Sequence, residues 1–383
     1  MILTGIWKLG TPQQSKAFPV VYQAYSILAH VIYVSIPLFL TMNFPRLLKT
    51  DAGKGFETLS KILYCVSMVI KLFAYQSRSS TSLLAQAIRD EVDLLQNGDD
   101  SVMKIHEKHV FFCNLLNKFF WLSTAGAASL LCEIGLVGSY RVHRMNKKFN
   151  ATLNKSLPLP FWYPFDENKY HRWVLLEQFL VILWVGFPVA TVQMFSNSVM
   201  IYMRGQLKIL QSYFSNYNEN ITYVGDNLKT LKGLCVKHQH LIRYINTVNS
   251  VFRSIVFVEY SISSIMLATA LFQVLAGHNV TYNITHIFVI ISQLLLLAWS
   301  TDEIVSQSVE LASALYSSKW YECERESRIL IIFMLIRCQK PLSIDIGSFG
   351  PMTLRSAMST TGKSAVNKVF TEFYRTSYLF KKE

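Results

Sequence analysis

The chain has 383 residues, 51% of them hydrophobic and only 16% charged, against about 25% charged in soluble domains. The apolar residues come in runs of about 18–25, long enough to cross a hydrocarbon core of about 30 Å, which excludes a water-soluble globular fold and predicts an all-α membrane protein. The net charge of +13 does not point to nucleic acid, because the basic residues flank the apolar runs, where anionic head groups attract them, and form no stripe interleaved with base-stacking aromatics.

Seven transmembrane spans are expected. The first six cover residues 22–43, 58–76, 110–139, 173–200, 254–276 and 285–301. The seventh has two parts, 329–337 and, after a break at Pro341, 349–370. The segment Met1 to Gln14 lacks an apolar core followed by a small-residue cleavage site, so the first span is expected to insert uncleaved. Pro37 and Pro188 fall inside spans and should kink them. Lys and Arg divide almost evenly between the two sides, so charge does not set the orientation. Sequons do better. Asn150 and Asn154 lie between spans three and four, Asn279 and Asn283 between five and six, and Asn220 between four and five. An N-terminus inside puts four of the five outside, where glycosylation occurs.

In that orientation the segments after spans two, four and six are cytosolic. Residues 206–217, 228–252 and 303–320 have helical periodicity with mixed polar faces. In 228–252, Leu231, Leu234, Cys235, Leu241, Ile242 and Ile245 form an apolar stripe that needs a partner. These segments read as spans extended below the membrane and packed into a bundle. Outside, SLPLPFWYPF is stiffened by Pro158, Pro160 and Pro164, while Trp162, Tyr163 and Trp173 suit the head-group zone. There is no internal repeat of the kind many transporters carry.

Nothing in the chain points to an enzyme or to a cofactor. His106 and His109 lack a third ligand and read as a solvated helix face, and His238 and His240 point to different sides of a helix. There is no phosphate-binding glycine loop and no nucleophile elbow. Charges inside spans are better clues, since each costs a few kcal/mol at mid-membrane unless it meets water or a partner. Lys71 and Glu259 lie near inner span ends and are expected to snorkel to the interface. Glu133 and Glu177 lie in outer halves, where they either line a watery cavity or hydrogen-bond within the bundle. The last span carries Thr360, Lys363, Ser364 and Asn367, which lipid rejects. At 3.6 residues per turn, Ser359, Lys363, Val366, Asn367, Phe370 and Tyr374 share one side. Two readings fit: a wet passage with an apolar constriction, or a helix buried in the bundle with its polar groups bonded to neighbours.

At these residues the chain resembles the insect odorant receptor family. The carrying stretch runs from Ser308 through Ala314-Leu-Tyr316, Trp320, Arg337, Gln339 and Pro341 to Gly347 and the polar last span. The resemblance implies seven spans with the N-terminus inside and spans four to seven extended into a cytosolic anchor bundle. It implies an odorant-gated, non-selective cation channel that assembles as a tetramer of tuning and co-receptor subunits in the plasma membrane of sensory neurons. This chain's short second cytosolic loop resembles a tuning subunit. The implied division is 1–200 for the N-terminal segment and spans one to four, 201–253 for anchor helices and 254–301 for spans five and six. Residues 302–345 hold further anchor helices with the first part of span seven, and 346–383 hold the pore-lining helix and tail.

Matching Ser359-Thr-Thr-Gly362 to the family puts an outer gate at Phe370 and Tyr374, although Ala365-Val366-Asn367 departs from the usual aromatic-Ser-aromatic run. A homotetramer would set a ring of Lys363 ammoniums on that face and repel cations, so a heteromer is expected. The implied ligand pocket lies in the outer halves of spans two to six. Depth along each span gives Tyr64, Ser67 and Met68; Ser129, Leu130 and Glu133; Phe179, Leu183 and Trp184; Leu271 and Phe272; and Phe288 and Ser292. A gustatory-type channel of related plan is the alternative. A G-protein-coupled receptor fits less well, since the chain has neither D-R-Y after span three nor N-P-x-x-Y in the seventh.

Overall fold

The computed structural model describes residues 17–149, 155, 157–216, 224–277 and 279–356. Eight helices account for most of them: α1 (Ala17–Thr50), α2 (Ala52–Tyr75), α3 (Arg78–Asn97), α4 (Asp100–Phe149), α5 (His171–Ser215), α6 (Val224–Leu275), α7 (Val280–Ser317) and α8 (Arg325–Cys338). Six of them, α1, α2, α4, α5, α6 and α7, are long and apolar enough to cross a membrane. Each contains one expected span almost entirely, so the spans were legible as apolar runs of the right length. Local signals set several ends. Asp51 accepts the Lys54 N–H at 3.2 Å to start α2, and Ser77 accepts the Ser80 N–H at 3.3 Å to start α3. Pro37 and Pro188 both sit within continuous helices.

The helices outrun the membrane. The 52 residues of α6 reach about 78 Å at about 1.5 Å per residue, more than twice the hydrocarbon core. The expected segments thus run on from their own spans, as read from the sequence: α5 continues from 206 to Ser215, α6 covers all of 228–252, and α7 continues from 303 to Ser317. Their apolar stripes meet. Leu231, Ile245 and Phe252 of α6 pack in one core with Phe214 of α5, Leu311 and Leu315 of α7, and Ile331 and Met334 of α8. Within the membrane part, α5 lies against α4 and α7, while α2 lies against α1 and α6. His238 and His240 do face opposite ways. His238 is buried edge-on to the Phe214 ring, and burial, with the Arg337 charge adding, pushes its imidazole down to about 4. His240 is exposed and hydrogen-bonds Gln86 at 2.8 Å.

Helix α8 has 14 residues, too few to cross, and holds the expected 329–337 segment. The chain behind it makes a tight return. The Ser308 hydroxyl accepts the Leu342 N–H at 3.0 Å, just past Pro341. Asn249 clamps Asp345 from both sides, donating to its carboxylate at 3.0 Å and accepting its N–H at 2.9 Å. Gly347 takes φ +53°, and a Cβ there would press on the Phe257 side chain at 3.2 Å. The Arg253 guanidinium donates to the Gly347 carbonyl. Ser308, Pro341 and Gly347, three residues of the recognised motif, thus lie together in this return. The expected last span is described only as far as Ser356; Lys363, Val366, Asn367, Phe370 and Tyr374 lie outside the described residues, as do Asn150 and Asn154.

Candidate functional site

The outer half of the bundle contains an apolar cavity of about 120 Å³. Ile36 and Leu40 of α1, Tyr64 and Cys65 of α2, Ala127 and Ala128 of α4, Ile182 and Val185 of α5, and Tyr282 and His286 of α7 line it. Small residues on α4 and α5 leave the space that larger ones would fill. His286 stacks on Tyr282 and meets Tyr64 edge-on, with ring centroids 5.8 Å and 6.0 Å away. Lys61 closes one side. Its ammonium is turned from the cavity's apolar floor by Glu57 at 2.8 Å and the Pro158 carbonyl at 3.0 Å.

The loop between α4 and α5 forms the roof. Leu159 lines the cavity and Phe161 is buried beside it. Gln178, fully buried in α5, holds the loop by accepting the Leu159 N–H at 2.9 Å and donating to the Leu159 carbonyl at 2.8 Å. Asn43 donates to the Pro160 carbonyl at 3.1 Å. Gly135 of α4 is required underneath, since a Cβ would fall 2.2 Å from Pro158 Cγ. The sequence suggested a stiff loop at head-group depth. The structure adds that Leu159 and Phe161 turn inward while Trp162, Phe165 and Trp173 stay exposed. Gln178→Leu removes both anchors and strands the Leu159 N–H and C=O at a buried position, a cost of about 1–3 kcal/mol for each group left unpaired. A cysteine placed at Leu159 should then react with aqueous thiol reagents at least tenfold faster than in the otherwise unchanged protein.

A second chamber of about 30 Å³ lies deeper, with Tyr64 and Val189 in the walls of both. Ser67, Met68, Gln193, Ser263 and Gln293 line it, together with Lys71 and Glu259. Here the expectation of snorkelling fails. Lys71 of α2 and Glu259 of α6 pair at 2.6 Å with side chains 10% and 5% exposed. Each lies near its own span end, but the two helices are neighbours, and the opposite charges neutralise one another at lower cost than either reaching water alone. Gln193 of α5 accepts from the Lys71 ammonium at 3.4 Å.

Of the residues reckoned from depth, Tyr64, Ser67 and Met68 border the two chambers. The others line neither. Leu183 and Phe288 are about 60% exposed on the outer surface of the bundle. Ser129 and Glu133 are also exposed, and Leu130, Phe179, Trp184, Leu271 and Ser292 are half-buried. Phe272 stacks edge-on with Phe56, ring centroids 5.4 Å apart. Depth fixes position along a helix axis but not rotation about it, and each residue turns the side chain by about 100°. Glu177 is exposed and accepts the Tyr163 hydroxyl of the loop at 2.6 Å, so its partner is the loop rather than a neighbouring helix of the bundle. Reasoning from the sequence missed Lys61, Leu159, Gln178 and His286. A polar Gln178 inside an apolar run was the available signal. Asn283 is a correction of another kind. It is 1% exposed and donates to the Asn279 carbonyl at 3.3 Å, which leaves no room for a glycan, whereas Asn279 is exposed.

Comparison with known proteins adds the lineage. The sequence model of a family described as 7tm odorant receptor matches residues 50–364. The chain is 31% identical over 165 residues to Odorant receptor 10 of Aedes albopictus, covering 42% of this chain and 44% of that protein. It is 25% identical over 234 residues to Odorant receptor 63a of Drosophila melanogaster, covering 57% and 54%. The matches therefore span about half the length of these relatives. Among solved structures, the insect olfactory receptor OR5 from Machilis hrabei superposes with a TM-score of 0.75 over 94% of this chain and 93% of that one, at 16% identity. The same receptor in complex with eugenol gives 0.74 over 98% and 96%, at 15% identity. At such identities the likeness shows the fold.

Proposed function

The chain belongs to the 7tm odorant receptor family, and we propose that it is the ligand-tuning subunit of an odorant-gated, non-selective cation channel. The apolar cavity beneath the 157–170 loop carries this reading. A cavity of about 150 Å³ lined by aliphatic side chains takes benzene, so 120 Å³ suits a small volatile once flexible neighbours such as Leu159 yield. The eugenol complex of the Machilis hrabei receptor supports a small aromatic volatile as the class of ligand. Burying about 200 Å² of apolar surface at about 25 cal/mol/Å² contributes roughly 5 kcal/mol, so a few polar contacts bring binding to the micromolar range.

The subunit sits in the plasma membrane of sensory neurons with its N-terminus inside, and pairs with a co-receptor in a heterotetramer. Its parts divide at the boundaries 200, 253, 301 and 345 given above. The last helix lines the pore, Phe370 and Tyr374 gate it, and Lys363 makes the heteromer preferable to a homomer. Assembly also fits α8, where Ile329, Ile332, Phe333 and Ile336 form an exposed apolar stripe below the membrane part. Recording currents from cells that express this chain with and without a co-receptor, across a panel of volatiles, tests the proposal. Ligand-evoked cation current that needs both subunits is expected. Saturable uptake of the volatile with no channel openings would overturn it in favour of a transporter.

A further inference from the structure

We propose that the deeper chamber is a hydrogen-bonding subsite for volatiles bearing a neutral oxygen acceptor, such as a ketone, aldehyde or ester on an apolar body, with the Gln193 amide as the donor. This rests on the reading that the outer cavity takes a volatile. Lys71 offers only donors, so the Gln193 carbonyl oxygen must face it. That fixes the amide orientation and directs Nε2 away from the ion pair. Gln193 is 3% exposed, and among the described residues its Nε2 has no hydrogen-bond partner. Such a donor carries its full desolvation cost until something accepts from it.

The chamber supplies room for that acceptor. Its volume of about 30 Å³ exceeds the roughly 10–15 Å³ that one water needs, so it holds one small polar group but not a ring. The ring or chain belongs in the larger cavity, and the oxygen passes between Tyr64 and Val189, which wall both spaces. The charges select for neutrality. Lys71 is already matched by Glu259 at 2.6 Å, so a carboxylate entering the chamber would find no unpaired cation to offset the cost of its desolvation. A hydrocarbon of the same shape would leave the Gln193 donor unpaired, and sites built to hydrogen-bond reject analogues that lack the partner.

The test uses pairs matched in carbon skeleton, ethylbenzene with acetophenone and heptane with 2-heptanone. Potency is read as evoked current from the chain co-expressed with a co-receptor, and binding as ligand-induced thermal shift of the purified complex. The ketone of each pair should be about tenfold the more potent, the size of one net hydrogen bond. Gln193→Leu should bring the ketones down to the hydrocarbon level. Ser263→Leu, which fills the chamber and leaves the amide in place, should do the same and decides the matter if Gln193→Leu does not reach the surface. A ketone advantage that survives in these variants, or no advantage in the unaltered chain, overturns the subsite and leaves the outer cavity standing. If no compound of either kind binds or gates, the channel reading itself fails and the subsite with it.

Discussion

Lys71→Met should cost the folded protein about 3–5 kcal/mol, the usual consequence of stranding one member of a buried ion pair. Glu259 would keep its 5% exposure and its place between α2 and α6 while losing the ammonium 2.6 Å away. The carboxylate would then lie buried with no counter-charge. Glu259→Met should be comparably damaging, because the stranded Lys71 keeps only Gln193, at 3.4 Å. The double variant Lys71→Met/Glu259→Met separates charge from packing. Replacing a buried pair with apolar residues of similar volume is often neutral or stabilising, so the double variant should fall within about 1 kcal/mol of the unaltered chain. Thermal unfolding in detergent and surface labelling of intact cells read the two stages. Single variants as stable as the parent would refute a buried pair, and a double variant as poor as the singles would show that these positions act through shape.

Ala128→Phe should raise the ligand concentration for half-maximal current by roughly 70-fold without lowering surface expression. Ala128 lines the 120 Å³ cavity from α4, and a phenyl ring there would occupy much of the space offered to a ligand. If half of the roughly 5 kcal/mol of apolar burial is lost, about 2.5 kcal/mol remains unrealised, and each 1.4 kcal/mol is a factor of ten. The ring fills an existing void and shifts no backbone, so stability should hold or rise. A variant that still responds at the original concentration would move the ligand elsewhere. Reading both ligand-evoked and ligand-independent current distinguishes a blocked cavity from a damaged pore.

Local pattern carried a good part of this. Apolar runs of membrane length located six helices but not their full extents, because a hydrocarbon core demands length and apolarity only over the part that crosses it. The periodic stripe of 228–252 announced a buried face, and Leu231 and Ile245 are indeed fully buried. The motif from Ser308 to Gly347 gave the family, and its residues proved to be hydrogen-bonding and turn-forming groups at one corner. Of the depth-reckoned positions, those on α2 border a chamber together, since Tyr64, Ser67 and Met68 lie within a turn or so of each other with one wall in common.

What sequence by itself determined about this chain was thus its class, the places of its apolar runs of membrane length, the helical segments that continue them and its lineage, all of which depend on residues close together along the chain. Tertiary structure alone decided which side of each helix faces inward, how the loop holding Leu159 is pinned by Gln178, and that Lys71 meets Glu259 across 188 positions. Rotation about a helix axis is set by the neighbours a side chain finds, and a charge near the end of one span is cheap or costly according to which charge stands on the next.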